Sequence, residues 1–346
     1  MRRQSPNRGA VPLLIALVLV LGIMVASSLM LGTGDEAAAE SAAALDTFES
    51  AKEGTYAKGV VKVDLFDPVG NENSGVSVDG DIVKIAAAGV YSLSGTLTDG
   101  RIEIDTKGKV YLELNGVDVT SSSGPALSVT DAEKVTIVLT GGSSNSLTAV
   151  SDGSAALRSN DPLVFTGNGA LTATANGGGI SSDDDITINN GFIRVAAAGD
   201  GLAANDDITI NGGDVSITAC QDGLDSNGTI HINGGTVVAF GGTAQDEGGI
   251  NARGDIVIIA GTVVAGGNAI APLSNDSRQA SLYLTSASIR SAGTTVRLQH
   301  NGQDVFSFTP EVAYQNILIS SSILTSGVTY QAYLGDKIGN LVVASR

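Results

Sequence analysis

One cysteine, no tryptophan and seven prolines stand among 346 residues. A lone cysteine excludes an internal disulfide and a zinc-type cysteine cluster. Cys220 closes a repeat where the neighbouring repeats have Ala198 and Gly242, so it reads as a buried small residue and not as a reactive thiol. Positive charge is scarce, with 19 Lys and Arg against 36 Asp and Glu. Three of those bases, Arg2, Arg3 and Arg8, precede an apolar run, so the rest of the chain carries about twenty excess negative charges. A surface of that sign repels nucleic acid and anionic lipid and attracts cations. Nucleic acid is excluded as a partner on this ground. Helical signal is also missing, because no 11-residue stretch carries the apolar period of a helix. No GxSxG nucleophile motif is present.

Glycine, by contrast, is abundant, with 45 residues, and it accompanies many Val, Ile and Thr. That composition describes short strands separated by tight turns. The middle of the chain repeats itself every 22 residues: GGGISSDDDITINNGFIRVAAA from Gly177, GDGLAANDDITINGGDVSITAC from Gly199, and QDGLDSNGTIHINGGTVVAFGG from Gln221. A fourth copy begins at Glu247 after a four-residue insertion, and Leu157–Leu163 repeats the Leu-to-Leu spacing of an earlier one. Ile180, Leu202, Leu224 and Ile250 are equivalent, as are Ile186, Ile208, Ile230 and Ile256. A fixed period of this size describes stacked coils, each too small to bury its own apolar face. Alternation at Ile186/Ile188 and at Ile193/Val195 marks two half-buried strands per repeat. The turn between them carries Asn189, Asn211 and Asn233 at one site, which predicts a stacked Asn ladder, with Asn and Gly tolerating a left-handed backbone there. The architecture expected is all-β: a parallel β-helix with rungs of about 22 residues over residues 59–290, and a C-terminal β cap over 291–346.

The N-terminus has a different composition. A basic segment, residues 1–9, precedes an apolar run, residues 10–31, followed by a linker rich in Ala, Ser and acid, residues 32–58. That order exports the downstream chain, with the apolar run as a transmembrane signal anchor or as a cleaved signal peptide. The main domain is expected outside the cytoplasm, at the cell surface or secreted, touching membrane only through this segment, and as a monomer.

The acidic residues fall at two repeat positions. One precedes the Gly before the buried Leu, at Asp200 and Asp222; the other lies four residues after that Leu, at Asp161, Asp184 and Asp206. Asp183, Asp185, Asp207 and Asp225 lie alongside. Stacking at about 4.8 Å crowds these carboxylates, which is costly unless a cation neutralises them. Oxygen-only donors, the Asp residues with Asn205 and Asn227, suit Ca²⁺ better than Zn²⁺ or Cu²⁺. The plain alternative is that they are solvated turn residues. Polysaccharide lyase chemistry would need a base near such a cation. Of the basic residues in the rungs, Arg158, Arg194 and Arg253, the last is the candidate, although a solvated arginine explains it more simply. His231 sits at an outward strand position and His300 in a turn. Only Phe165, Phe192 and Phe240 lie in the regular rungs, and no sugar-stacking platform is evident.

Three blocks in order carry a family resemblance. They are Gly89–Leu127 with Lys134–Thr148, the Asp-Gly-Leu rungs, and Thr294–Leu324. Together they resemble a family of calcium-binding, carbohydrate-binding extracellular proteins with a lyase-like parallel β-helix. The resemblance implies a right-handed, single-stranded coil and non-catalytic binding of a plant-type or acidic polysaccharide, cellulose-like or pectin-like. It implies calcium at Asp184, Asp200, Asp206 and Asp222, with Asp161 after them; Asp183 and Asp225, which lie alongside in the repeat, complete the set of candidate ligands. The chain departs from the pattern at Gly178, Gly228 and Gly248, where an acid is usual; Asp246 and Glu247 stand near the last gap.

Overall fold

A computed structural model describes residues 59–70 and 74–345. The basic segment, the apolar run and the linker expected over 1–58 lie outside the described residues. Among the described residues the fold is all-β, and no helix is long and apolar enough to cross a membrane.

The chain winds as a parallel β-solenoid of about 8 turns with rungs of about 23 residues. A regular rung has three strands. In the rung after Gly199 they are Leu202–Ala204, Ile208–Ile210 and Asp214–Ala219. Each pairs in parallel with its counterparts one rung away: Leu202 lies between Ile180 and Leu224, Ile208 between Ile186 and Ile230, and Val215 between Ile193 and Val237. The stack therefore has three faces. The repeat produces this register because its apolar columns leave only one way to turn every side chain inward. Leu202, Ile208, Ile210 and Val215 are all fully buried. The next rung is longer, with Leu224 opposite Ile250, and the extra residues form an outward loop.

Glycine and asparagine divide the work at the turn before the third face. Gly191, Gly213, Gly235 and Gly261 carry positive φ values of 115, 86, 79 and 98°. Among the described residues Asn301 alone is a non-glycine with positive φ, so the turn asparagines do not supply the left-handed backbone. They supply the ladder: Asn211 Nδ2 donates to Asn189 Oδ1, and Asn233 Nδ2 to Asn211 Oδ1, each at 2.8 Å. The glycine of Asp200-Gly201 answers a packing demand. A Cβ there would lie 2.1 Å from Ile217 Cγ2 and 2.5 Å from the Gly223 carbonyl.

The two ends of the stack differ. At the N-terminal end a hairpin pairs Val76–Asp79 with Ile82–Ile85 in antiparallel fashion, and the buried Tyr91 donates its hydroxyl to the carbonyls of Ala87 and Ser74. At the C-terminal end the last parallel strand, Thr262–Gly267, is covered by antiparallel Tyr314–Ser321, which in turn pairs with Ser281–Arg290. A separate four-stranded sheet, Val296–His300, Gln303–Phe308, Thr329–Leu334 and Lys337–Val343, completes the cap. It encloses a second core on the outer side of the third face, which takes in Phe240 and Val264. The Phe240 ring stacks on Phe308 with centroids 5.9 Å apart.

Candidate functional site

The two acidic columns occupy different corners of the coil. Asp200 and Asp222 lie before the first-face strands, whereas Asp161, Asp184 and Asp206 lie after them. Each group feels its own members: Asp225 and Asp200 act on Asp222, while Asp206 and Asp161 act on Asp184. The seven acids expected to bind metal are thus brought together as two sets and not as one.

At the first corner, carboxylates clip successive rungs. Asp200 Oδ1 accepts the Asp222 N–H at 2.9 Å, and Asp222 Oδ1 accepts the Gly248 N–H at 2.6 Å. Asn251 Nδ2 donates to Asp222 Oδ2 at 3.1 Å and to Asp225 Oδ1 at 2.9 Å. Asp225 reaches this node because the outward position of its strand lies opposite Asn251. Burial pushes the Asp222 carboxyl up to about 6, against the pull of the Gly248 and Asn251 bonds and with Asp225 and Asp200 adding repulsion. Burial also raises Asp225, with Asp200 adding to it and Asn251 and Arg253 opposing it. Arg253 is exposed in the next turn.

The second corner is built on serines that nothing in the repeat pattern singles out. Ser182 and Ser226 are buried, at 3 % and 0 % exposure. Ser182 Oγ donates to the Asp161 carbonyl at 2.9 Å, and Ser226 Oγ to the Asp206 carbonyl at 2.6 Å, so those carbonyls already have partners. The serine oxygens also accept the N–H of Asp184 and of Gly228, which fixes the turn carrying the acids. Burial raises the Asp184 carboxyl, and its neighbours Asp206 and Asp161 add to this. Asp161 Oδ2 accepts the Ala132 N–H at 2.8 Å. Asp183 is turned onto Arg158, whose guanidinium meets both its oxygens at 2.6 Å. Asp185 and Asp207 form a further clip, accepting the N–H groups of Asp207 and Thr229. Asn205 and Asn227, considered as metal ligands from the sequence, form a second ladder at 2.7 Å.

The gaps in the columns have different causes. At Gly228 a Cβ would come within 2.3 Å of Asp207 Oδ1, and at Gly248 within 2.7 Å of the Ala269 carbonyl. Gly178 has room, its nearest contacts being 3.7 and 3.9 Å away. Glu247 does not stand in for the missing acid; its carboxylate accepts the Ala244 N–H within its own loop.

As a test of calcium, the donor chemistry fits a hard cation. After the rung clips are made, Asp200 and Asp225 each keep an oxygen, both carboxylates act electrostatically on the half-buried Asp222, and Asn251 keeps its amide oxygen. Among the described residues, no group of three or more His, Cys, Asp or Glu side chains is drawn close enough to hold a metal by itself. A cation would therefore complete its shell with amide, carbonyl or water oxygens.

The other residues singled out in the sequence lie at the surface. Cys220 proves exposed, which corrects the expectation of burial: it follows the inward Ala219 that ends the third-face strand, so the alternation puts it outside. His231 is partly exposed between Thr209 and Val257. His300 ends a cap strand near Tyr330, in a cleft of about 610 Å³. A second cleft of about 550 Å³ lies beside Leu273, Tyr283 and Asn316. On the third face, outward positions carry mostly Ser and Thr, with Phe192 57 % exposed among them.

Comparison with known proteins gives these observations a context. A family model for carbohydrate-binding domain-containing proteins matches residues 79–312. A carbohydrate-binding domain-containing protein of Acetivibrio thermocellus is 36% identical over 137 residues, which are 35% of this chain and 48% of the relative. The chain thus spans about half the length of that curated relative. A solved structure described as a polysaccharide lyase-like protein from C. thermocellum, a gadolinium derivative, is 28% identical, covers 62% of this chain and 96% of its own, and superposes with a TM-score of 0.49. The family model takes in the rungs, both acidic corners and the start of the cap, and by that match the chain belongs to the family of carbohydrate-binding domain-containing proteins.

Proposed function

We propose that the protein is an extracellular, calcium-binding solenoid that holds polysaccharide without cleaving it. The observation that carries the polysaccharide is the family match, which spans the stack from residue 79 into the cap. Calcium draws its support from Asp222, a half-buried carboxylate with two more acids beside it and no cationic partner of its own among the described residues. The basic-then-apolar order of residues 1–31 supports export and a surface anchor. Coverage of the last parallel strand by the cap supports a monomer.

The test is binding of the full chain to a panel of polysaccharides, with calcium and with chelator. Binding to at least one of them, without release of shorter products, is the expected outcome. Failure to bind any would leave a structural or adhesive surface role. A calcium-dependent lyase is the second reading, because Arg253 lies within electrostatic reach of Asp225. That reading requires ultraviolet-absorbing unsaturated ends that vanish in Arg253→Ala; simple binding should survive the substitution.

A further inference from the structure

The N-terminal end of the stack leaves a strand edge that the cap end does not. Val60–Asp64 pairs in parallel with Gly89–Leu97 on one side, and among the described residues no strand pairs with its other side. One bond gives the direction of its backbone groups. The Leu65 N–H donates to the Ser94 carbonyl at 2.8 Å, so Leu65, Val63 and Val61 turn their backbone groups toward Gly89–Leu97. Backbone groups alternate in direction along a strand, so those of Lys62 and Asp64 point to the open side. An open edge of this kind is a template for another strand.

The side chains of this edge are self-complementary. Val61, Val63 and Leu65 belong to the core side. Val60, Lys62, Asp64 and Phe66 face outward and are exposed, Val60 at 39 % and Phe66 at 82 %. Outward, the segment therefore reads apolar, positive, negative, apolar. Lys62 and Asp64 flank Val63 at equal distance, and so do Val60 and Phe66. Lay a second copy of the strand antiparallel, with the two-fold axis at Val63. Lys62 then stands opposite Asp64 of the second copy, and Val60 opposite its Phe66, each pair occurring twice by symmetry. Val61 falls opposite Leu65 on the core side. Other registers fail. An axis at Lys62 or at Asp64 opposes like charges, and an axis at Val61 or Leu65 sets a charge against Val60 or Phe66. A slip of one residue puts inward side chains opposite outward ones. The favoured axis also makes Lys62 and Asp64 a pair that exchanges backbone hydrogen bonds. Asp64 Oδ1 accepts the Phe66 N–H at 3.0 Å, which leaves Oδ2 for the lysine of the second copy.

From this we infer that the Val60–Phe66 edge pairs with the same edge of a second copy of this chain, about a two-fold axis at Val63, to form a head-to-head dimer. The inference does not depend on the carbohydrate-binding reading. Pairing covers both exposed apolar side chains of the edge with each other. The contact is well below the roughly 20–30 residues a side of a standard interface, so the dimer depends on concentration. The monomer proposed above is its dilute state. The cap covers the last parallel strand at the other end, so association stops at two copies.

The experiment is sedimentation of the full chain in detergent, with reductant present, over about 1–500 µM. It compares wild type with Lys62→Asp, with Asp64→Lys and with an equimolar mixture of the two variants. Melting curves confirm that both exposed substitutions leave the fold intact. The expected result is a wild-type dimer whose dissociation constant rises about tenfold in either variant, because like charges then face each other across the axis. The mixture should recover the dimer, since one variant brings two acids to the edge and the other two lysines. Wild type sedimenting as a single copy throughout would overturn the inference. A dimer unchanged by either substitution would put the contact elsewhere in the chain and overturn it as well. Dimers lost in both variants and not regained on mixing would overturn the register about Val63.

Discussion

The backbone N–H of Asp222 is held by the side chain of Asp200 at 2.9 Å, one rung below. Asp222 repeats the act on Gly248. The acid column is thus first a set of clips between rungs, in which each carboxylate satisfies a corner N–H that the strand ladders leave over. The clips also force carboxylates close together, and the charge they accumulate is what a cation would relieve.

Stability without calcium should depend on pH through Asp222. Its folded-state pKa of about 6 exceeds the ordinary aspartate value of 3.8. Between those values the folded chain binds more protons than the unfolded chain, so stability falls as pH rises and is lowest above about 6. Melting in chelator at about pH 4.5 and pH 7.5 measures this. The Asp222→Asn variant should show a flatter profile than wild type; an identical profile would show that Asp222 does not titrate in this range.

Calcium should raise the melting temperature, and more so at pH 7.5 than at pH 5, because the ligand competes with the proton on Asp222. At a concentration 100 times the dissociation constant the gain is about 2.7 kcal/mol. Asp200→Asn with Asp225→Asn should abolish most of it. Equal midpoints in calcium and chelator would count against a cation at this corner.

Gly178→Asn should stabilise the fold. The position has room for a side chain, and an Asn there can accept the Asp200 N–H as Asp200 accepts that of Asp222. The gain is about 0.5–1.5 kcal/mol, or roughly 2–4 °C in melting temperature per kcal/mol. Gly201→Ala should act in the opposite direction, costing about 1–3 kcal/mol or more, because its methyl group would collide with Ile217. Thermal or denaturant unfolding of the pair decides both, and a harmless Gly201→Ala would refute the packing account.

Breaking the asparagine ladder at its centre should cost more than breaking it at an end. Asn211→Ala removes the bonds to both Asn189 and Asn233, a loss of about 1–3 kcal/mol, whereas Asn189→Ala removes one of them. Urea midpoints of the two variants give the comparison, and equal losses would mean the ladder contributes nothing cooperative.

The rungs were legible because period and alternation act on every repeat at once: the Leu202 and Ile208 columns could face only inward. The Asn189 ladder followed from stacking alone. The hidden part depends on direction within a turn, which spacing does not encode. Asp183 and Asp184 are adjacent, yet one pairs with Arg158 and the other stands in the acidic column. Buried Ser182 and Ser226 look in sequence like ordinary small turn residues, and only the closure of the corner gives them their bonds to the Asp161 and Asp206 carbonyls. Phe192 was accessible in principle. Its alternation with Ile193 and Val195 already puts it on the side of Arg194, facing outward.

The identical register from Gly177 to Cys220 makes the coil extensible. At the C-terminal end a sheet-bearing cap covers the last parallel strand, so that end does not accept another rung. The interior can. Duplicating the 22 residues from Gly199 to Cys220 would add one unit to every column together, including acid clips, asparagine ladder and outward hydroxyl rows. The middle of the molecule behaves as a ruler whose length is set by gene duplication, with reach along a polymer growing by about 4.8 Å per inserted unit.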